Sequence, residues 1–201
     1  MFSRGDDNYG SIALNFDFKY FDYSFTQVTL DTNGYVYFSG PSCCGITAPT
    51  DSRVISALNY DLDTLKGGGI YYQNVNVQSN DFDLIRTDLN RLNASFVPAN
   101  IFRITFDNVA THSTSSLKAS FQLILASDAS STSSYVALKY TSCLSNSVNL
   151  RSSPGLYYLN SNGQQESFPI SEPCSSTNVN SIGTWVFDVS TFNGSRFIQF
   201  L

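Results

Sequence analysis

Charge is what this chain has least of. Asp, Glu, Lys and Arg make up 13% of its 201 residues, and the formal net charge is −5. The few Lys and Arg residues are scattered, so no basic surface can track phosphates and nucleic acid is excluded as an expected partner. No apolar run approaches the ~20 residues that span a bilayer, so no membrane insertion is expected. The opening residues, MFSRGDDNYG, lack a charged region followed by an apolar one. They do not read as a signal peptide; either a signal has been removed or the chain is a segment of a longer one. Histidine occurs once, at His112, and no CxxC is present, which leaves little for a structural zinc site. The same scarcity weighs against enzymes. A serine or cysteine nucleophile would have to use His112, which sits in the polar stretch ATHSTSS and reads as a solvated loop histidine. No carboxylate pair stands out for glycoside hydrolysis, since Glu166 and Glu172 share one loop. The chain is therefore read as non-enzymatic.

What is abundant is aromatic and hydroxylated. There are 16 Phe and 12 Tyr, with plentiful Ser, Thr and Asn, the profile of an antiparallel β protein at the cell exterior. SIALNFDFKYF alternates, with Ile12, Leu14, Phe16 and Phe18 on one side. VTLDTNGYVYF follows, and its Asn33-Gly34 dipeptide predicts a two-residue type I′ hairpin turn. Further strands are predicted around Ile55 and Ala57, after the three glycines at 67–69, through Phe102, Ile104 and Phe106, and on both sides of the turn DASSTSS. GLYYLN, TWVFDVS and SRFIQFL complete the set. One helix is predicted, in DFDLIRTDLNRLNA, about three turns long, capped by Asp81 or Asp83 and striped by Leu84, Ile85, Thr87, Leu89 and Leu92. Many short strands with one short helix predict an all-β, antiparallel two-sheet sandwich, forming a single domain over residues 1–201.

Four cysteines, Cys43, Cys44, Cys143 and Cys174, read as disulfides. Bonding adjacent cysteines requires a strained ring, so two bridges are expected from residues 41–45 to the loops around Cys143 and Cys174, with the pairing open. Asn93-Ala94-Ser95 and Asn193-Gly194-Ser195 are glycosylation sequons. Asp61 and Asp63, two apart on a strand, would share a face and could hold calcium, with residues 5–7 adding ligands if they fold nearby. The plainer reading has them capping the turn that follows. Arg4-Gly5-Asp6 spells an integrin-binding tripeptide near an end expected to be mobile. Tyr35, Tyr37, Tyr71, Tyr72, Tyr157 and Tyr158 could offer a carbohydrate-stacking face, against the plainer reading of cross-strand packing.

The segment FDFKYFDYSFTQVTLDTNGYVYFSG resembles the start of the nidogen-like (NIDO) domain, through Phe18, Phe21, Tyr23, Val28, Leu30, Asn33, Gly34 and Phe38. ISALNYDLDTLKGGGIYYQ is similar to the family's second block at Asp61, Asp63, Thr64, Gly69, Tyr71 and Tyr72. FRITFDNVATHSTSSLKASFQLILASD is similar to its third at Phe106, Val109, Phe121, Gln122, Leu123 and Leu125, and SSYVALKYTSC parallels the strand ending at Tyr140. Where the family has Ala-Pro-Phe-Trp, this chain has Ala57-Leu58-Asn59-Tyr60, and Phe106 replaces a tryptophan. The resemblance implies a secreted or surface-displayed module of matrix and adhesion type with no catalytic residues. High β content, low charge and the edge strands of a sandwich add self-assembly into a matrix or filament, so the expected partners are extracellular proteins or copies of itself. A carbohydrate-binding module, calcium-assisted, is the alternative.

Overall fold

A computed structural model describes residues 1–38, 53–144, 154–159 and 164–191. In chain order the elements are β1 (Tyr9–Tyr20), β2 (Tyr23–Asp31), β3 (Tyr35–Tyr37), β4 (Val54–Ser56), β5 (Leu62–Asp63), β6 (Gly69–Asn74), α1 (Asn80–Leu92), β7 (Asn100–Thr111), β8 (Lys118–Ser127), β9 (Ser134–Ser142), β10 (Gly155–Leu159), β11 (Gln165–Pro169) and β12 (Thr184–Asp188). They form two antiparallel sheets, so the predicted sandwich with one short helix is correct. The first sheet runs β1-β2-β3-β4-β10-β11; the second runs β12-β9-β8-β7-β5, with β6 also on β7.

The alternating strands do what their pattern requires. Ile12, Leu14 and Phe18 of β1 and Phe102, Ile104 and Phe106 of β7 meet in the inter-sheet core with Ile55, Ala57 and Leu58. Aromatics fill the middle. Phe18 stacks on Phe38 at 5.6 Å, Tyr20 on Phe38 at 4.3 Å, and Phe106 on Phe121 at 4.3 Å. A bulge after Phe106, with Asn108 at φ 50°, shifts the phase of β7 so that Val109 turns inward.

Two local expectations are corrected. The Asn33-Gly34 turn is not type I′: Gly34 has φ 90° but Asn33 does not share the positive-φ region, and Gly34 N–H donates to Asp31 O at 3.3 Å. Leu30 pairs Val36, so the loop is one residue longer, a turn of type I geometry followed by a left-handed glycine. The helix begins earlier, with Ser79 as N-cap accepting from Phe82 N–H, not Asp81 or Asp83. Its buried face is Phe82, Ile85, Asp88 and Leu89, while Leu84 is 63% exposed and Leu92 also faces out. This face packs on Ile101, Ile124, Ala126, Tyr135, Ala137 and Val186, covering one end of the outer face of the second sheet. The cause is the cap: starting at Ser79 brings Phe82 into the stripe and rotates Leu84 out of it.

Candidate functional site

The quoted hairpin of β2 and β3 turns out to be a junction. Asn33 is buried, and both ends of its side-chain amide are bonded: Nδ2–H donates to Asp7 Oδ1 at 2.7 Å, and Oδ1 accepts from Leu62 N–H at 2.8 Å. Its own N–H donates to Asp31 Oδ1 at 2.6 Å. One amide thus ties the hairpin to the N-terminal segment and to β5 of the opposite sheet. Gly34 completes the junction, its carbonyl accepting from Ala57 N–H at 2.9 Å.

Acidic groups gather on this junction. The segment at residues 5–7 does fold beside Asp61 and Asp63: Asp6 bridges to Asp63, and Gly5 exchanges hydrogen bonds with Thr64. Asp61 and Asp63 fall into separate triads that share Asp6. One is Asp6, Asp63 and His112; the other is Asp6, Asp7 and Asp61. Each triad brings its ligand atoms within 4.8 Å, and Oδ1 of Asp6 is buried without a hydrogen-bond donor. Carboxylate oxygens are the donors calcium prefers, although calcium takes six to eight oxygens and a triad supplies three. Asp63 also does the plainer job, accepting from Leu65 N–H at 2.8 Å to cap the turn. His112 was expected as a solvated loop residue, and it is half-exposed, but its Nδ1 lies 2.7 Å from Asp6 Oδ2 and 3.7 Å from Asp63 Oδ2. Lys66 adds a donor to His112 O and a 4.0 Å contact with Asp63. Burial raises the Asp6 pKa; His112 pulls it down, and the Asp63, Asp7 and Asp61 carboxylates push it up again.

The tripeptide Arg4-Gly5-Asp6 is tied down here, which corrects the expectation of a mobile end. Arg4 donates to Gly68 O at 2.9 Å, Gly5 is buried, and Asp6 faces His112. All three side-chain or backbone groups serve the fold.

Asp31 is the buried acid of the junction, 1% exposed. Burial raises its pKa from 3.8 to about 6, against the lowering effect of the Asn33 N–H bond and with a small rise from Asp7. A raised carboxylate pKa means that the fold prefers the neutral acid. The stability this contributes is full below the unfolded value, and it is lost as pH climbs from about 4 to about 6. Above that window the buried charge costs on the order of 2–3 kcal/mol. Asp31→Asn is therefore expected to be more stable than the parent by that order at pH 7.5 and equal to it near pH 4. Urea unfolding at both pH values checks this, and an equal difference at both would reject Asp31 as the titrating group.

The six tyrosines are separated by the sheets. Tyr35 and Tyr37 are fully buried in a small cluster with Val54 and Tyr157, and Tyr158 is buried in the main core. Only Tyr71 and Tyr72, at 45% and 37% exposure, remain as an open aromatic pair, both on β6. Among the cysteines, the expected pairing is wrong: Cys143 bonds Cys174, a separation of 31 residues, and neither reaches residues 41–45. Register explains it. β9 ends at Ser142 beside β12, and the segment that leads into β12 carries Cys174 past that end. Cys43 and Cys44 lie outside the described residues, as does Asn193. Asn93 is the C-cap residue of α1, and its Nδ2–H donates to Tyr135 Oη at 2.9 Å, while Ser95 Oγ–H donates to its Oδ1.

Sequence reasoning missed Asn33 and Asp31 as buried polar nodes and His112 as a member of the acidic cluster. An Asp-x-Asn-Gly string reads as turn chemistry, which the Asn33 N–H bond to Asp31 does satisfy, but the side-chain partners of Asn33 and His112 lie 26 or more positions away. No helix among the described residues is long and apolar enough to cross a membrane. No curated protein and no solved structure matches this chain. The family model of the nidogen-like domain matches residues 26–191, from β2 through β12. With the hairpin turn, every strand after β2 and the Asp61–Gly69 block inside that span, the chain belongs to the nidogen-like domain family, a non-enzymatic family of extracellular modules.

Proposed function

We propose that this protein is a secreted or surface-displayed structural and adhesion module that works through side-chain faces in contact with other extracellular proteins. Family membership carries the reading. The state of the sheet edges supports faces over edges. The side-chain amide of Asn178 pairs with both the N–H and the carbonyl of Val186, at 2.9 and 2.7 Å, and Thr177 Oγ1–H donates to Thr184 O. These side chains occupy the edge of β12 as a neighbouring strand would. Phe2 N–H donates to Ile70 O and Arg4 to Gly68 O, covering the start of the β6 edge. β1 carries a register shift between Ala13 and Phe18, with Asp17 and Lys19 along it. Guards of this kind on β12, on the start of β6 and on β1 resist strand-on-strand polymerisation at those edges.

Cross-linking in native extracellular material is expected to join the protein to matrix or membrane-anchored proteins, and sedimentation of the purified protein is expected to give a monomer. Copies of the chain as the sole cross-linked partner, with filaments by imaging, would replace this reading with self-assembly. The same material reports two finer points. Glycans at Asn93 and Asn193 add mass that a glycosidase removes. Calcium in the Asp6, Asp61 and Asp63 cluster raises the unfolding temperature, and chelator lowers it. A second reading, carbohydrate recognition, is favoured by one observation, the open Tyr71 ring on β6.

A further inference from the structure

The outer face of the second sheet is only partly covered by α1. Beyond the helix, register sets Tyr71 beside Thr105, Gln73 beside Arg103, and Gly69 beside Asp107. These six side-chain positions alternate with Phe102, Ile104 and Phe106, which face the core, so they share the opposite face. With Tyr72 at the rim, Tyr71, Gln73, Arg103, Thr105 and Asp107 line an open groove of about 170 Å³.

The posture of Tyr71 is the informative feature. A Cβ at Gly69 would stand 3.0 Å from the Tyr71 hydroxyl oxygen and 3.2 Å from two of its ring carbons. The hydroxyl end of the ring therefore lies back along its own strand over the bare backbone of Gly69, while Tyr71 stays 45% exposed. The glycine supplies room here, since no positive φ is required of it. Around the ring stand polar groups, of which Arg103 is the most tightly held. The Arg103 guanidinium is held by Asp81 at 2.8 Å and its side chain is 17% exposed. Asp107 accepts from Asn108 Nδ2–H at 2.8 Å. Thr105 and Gln73 add a hydroxyl and an amide.

An exposed aromatic ring bordered by donors and acceptors matches an amphipathic ring: C–H groups against the negative π face, hydroxyls toward the polar rim. Large apolar partners find one exposed ring and little else. Charge narrows the class. Arg103 is already neutralised by Asp81, and Asp107 leaves a spare negative charge, so anionic sugars are repelled. The volume lies below the roughly 300–1,000 Å³ of drug-sized sites, which limits occupancy to about one sugar unit. We infer that this groove binds a neutral hexopyranose, the terminal or exposed unit of a glycan, stacked on Tyr71. The inference rests on the carbohydrate reading above. It also separates that reading from calcium: His112 lies five positions beyond Asp107, one residue past the end of β7, roughly 16 Å at strand rise. The acidic cluster does not reach the sugar.

The test is amide-resolved NMR of the intact protein titrated with glucose, galactose, mannose and N-acetylglucosamine. Saturable shifts are expected at Tyr71, Gln73, Arg103, Thr105 and Asp107, unchanged by chelator. Tyr71→Ala should weaken binding by about tenfold or more, the loss of one stacking ring. Gly69→Ala, which lifts the ring without removing it, should weaken binding too; Tyr71→Phe and the distant Tyr23→Ala should not. Saturable shifts elsewhere, or binding that survives Tyr71→Ala, would overturn this site while leaving the carbohydrate reading intact. No saturable response to any of the four sugars would remove both.

Discussion

Gly34→Ala is expected to destabilise the protein by about 4 kcal/mol, lowering its melting temperature by roughly 10 °C. Two costs add. Gly34 sits at φ 90°, where a side chain costs on the order of 1–3 kcal/mol. A Cβ there would also stand 2.7 Å from Leu58 O and 3.2 Å from Leu58 N, and backbone yields less readily than a flexible side chain. The hairpin cannot retreat without cost, because Gly34 O accepts from Ala57 N–H and Asn33 spans to Leu62 and Asp7. Any movement that relieves the clash strips hydrogen bonds from buried groups, which adds about 1–3 kcal/mol for each group left without a partner. Thermal and urea unfolding measure the change. A loss below about 1 kcal/mol would show that the hairpin moves off residues 57–58 freely, and the junction would lose its structural importance.

Removal of the Cys143–Cys174 bridge, as the double serine variant, is expected to cost about 3.5 kcal/mol by the chain-entropy argument for a loop of 31 residues. The bridge encloses all of β10 and β11, so its loss frees a long excursion in the unfolded chain. It also anchors the region of Trp185, whose indole N–H donates to Pro173 O at 3.2 Å and whose ring is part of the core. Reduction should therefore shift tryptophan emission toward that of a wetter indole along with the loss of stability. As this is the chain's single tryptophan, the signal is unambiguous. Equal stability of the reduced and oxidised forms would mean that strand pairing of β12 with β9 holds this corner without help.

Legibility in the sequence followed the range of the interaction. Alternation in β1 and β7 is a short-range property: period two puts Ile12, Leu14 and Phe18, or Phe102, Ile104 and Phe106, on one face whatever lies across from them. The helix was found for the same reason, and its face was misjudged because Leu84 and Phe82 compete for the stripe and the Ser79 cap decides between them. The tyrosines show the limit of alternation. Tyr35 and Tyr37 point away from the inter-sheet core and are still buried, since a strand's outer face is open only if nothing else packs on it. Tyr71 stays open because α1 covers a different stretch of the same sheet face.

Local pattern along the chain was enough for the double-sheet class, the one helix among the described residues, the hairpin at Asn33-Gly34 and the family, because each rests on neighbours a few residues apart or on blocks in fixed order. Long-range packing sets the rest: Cys143 pairs with Cys174, His112 joins Asp6 and Asp63, residues 4–6 are tied down, and the hydroxyl end of Tyr71 lies over Gly69. Each of these depends on which distant segments the sheet register brings side by side, and a composition or period carries no record of that.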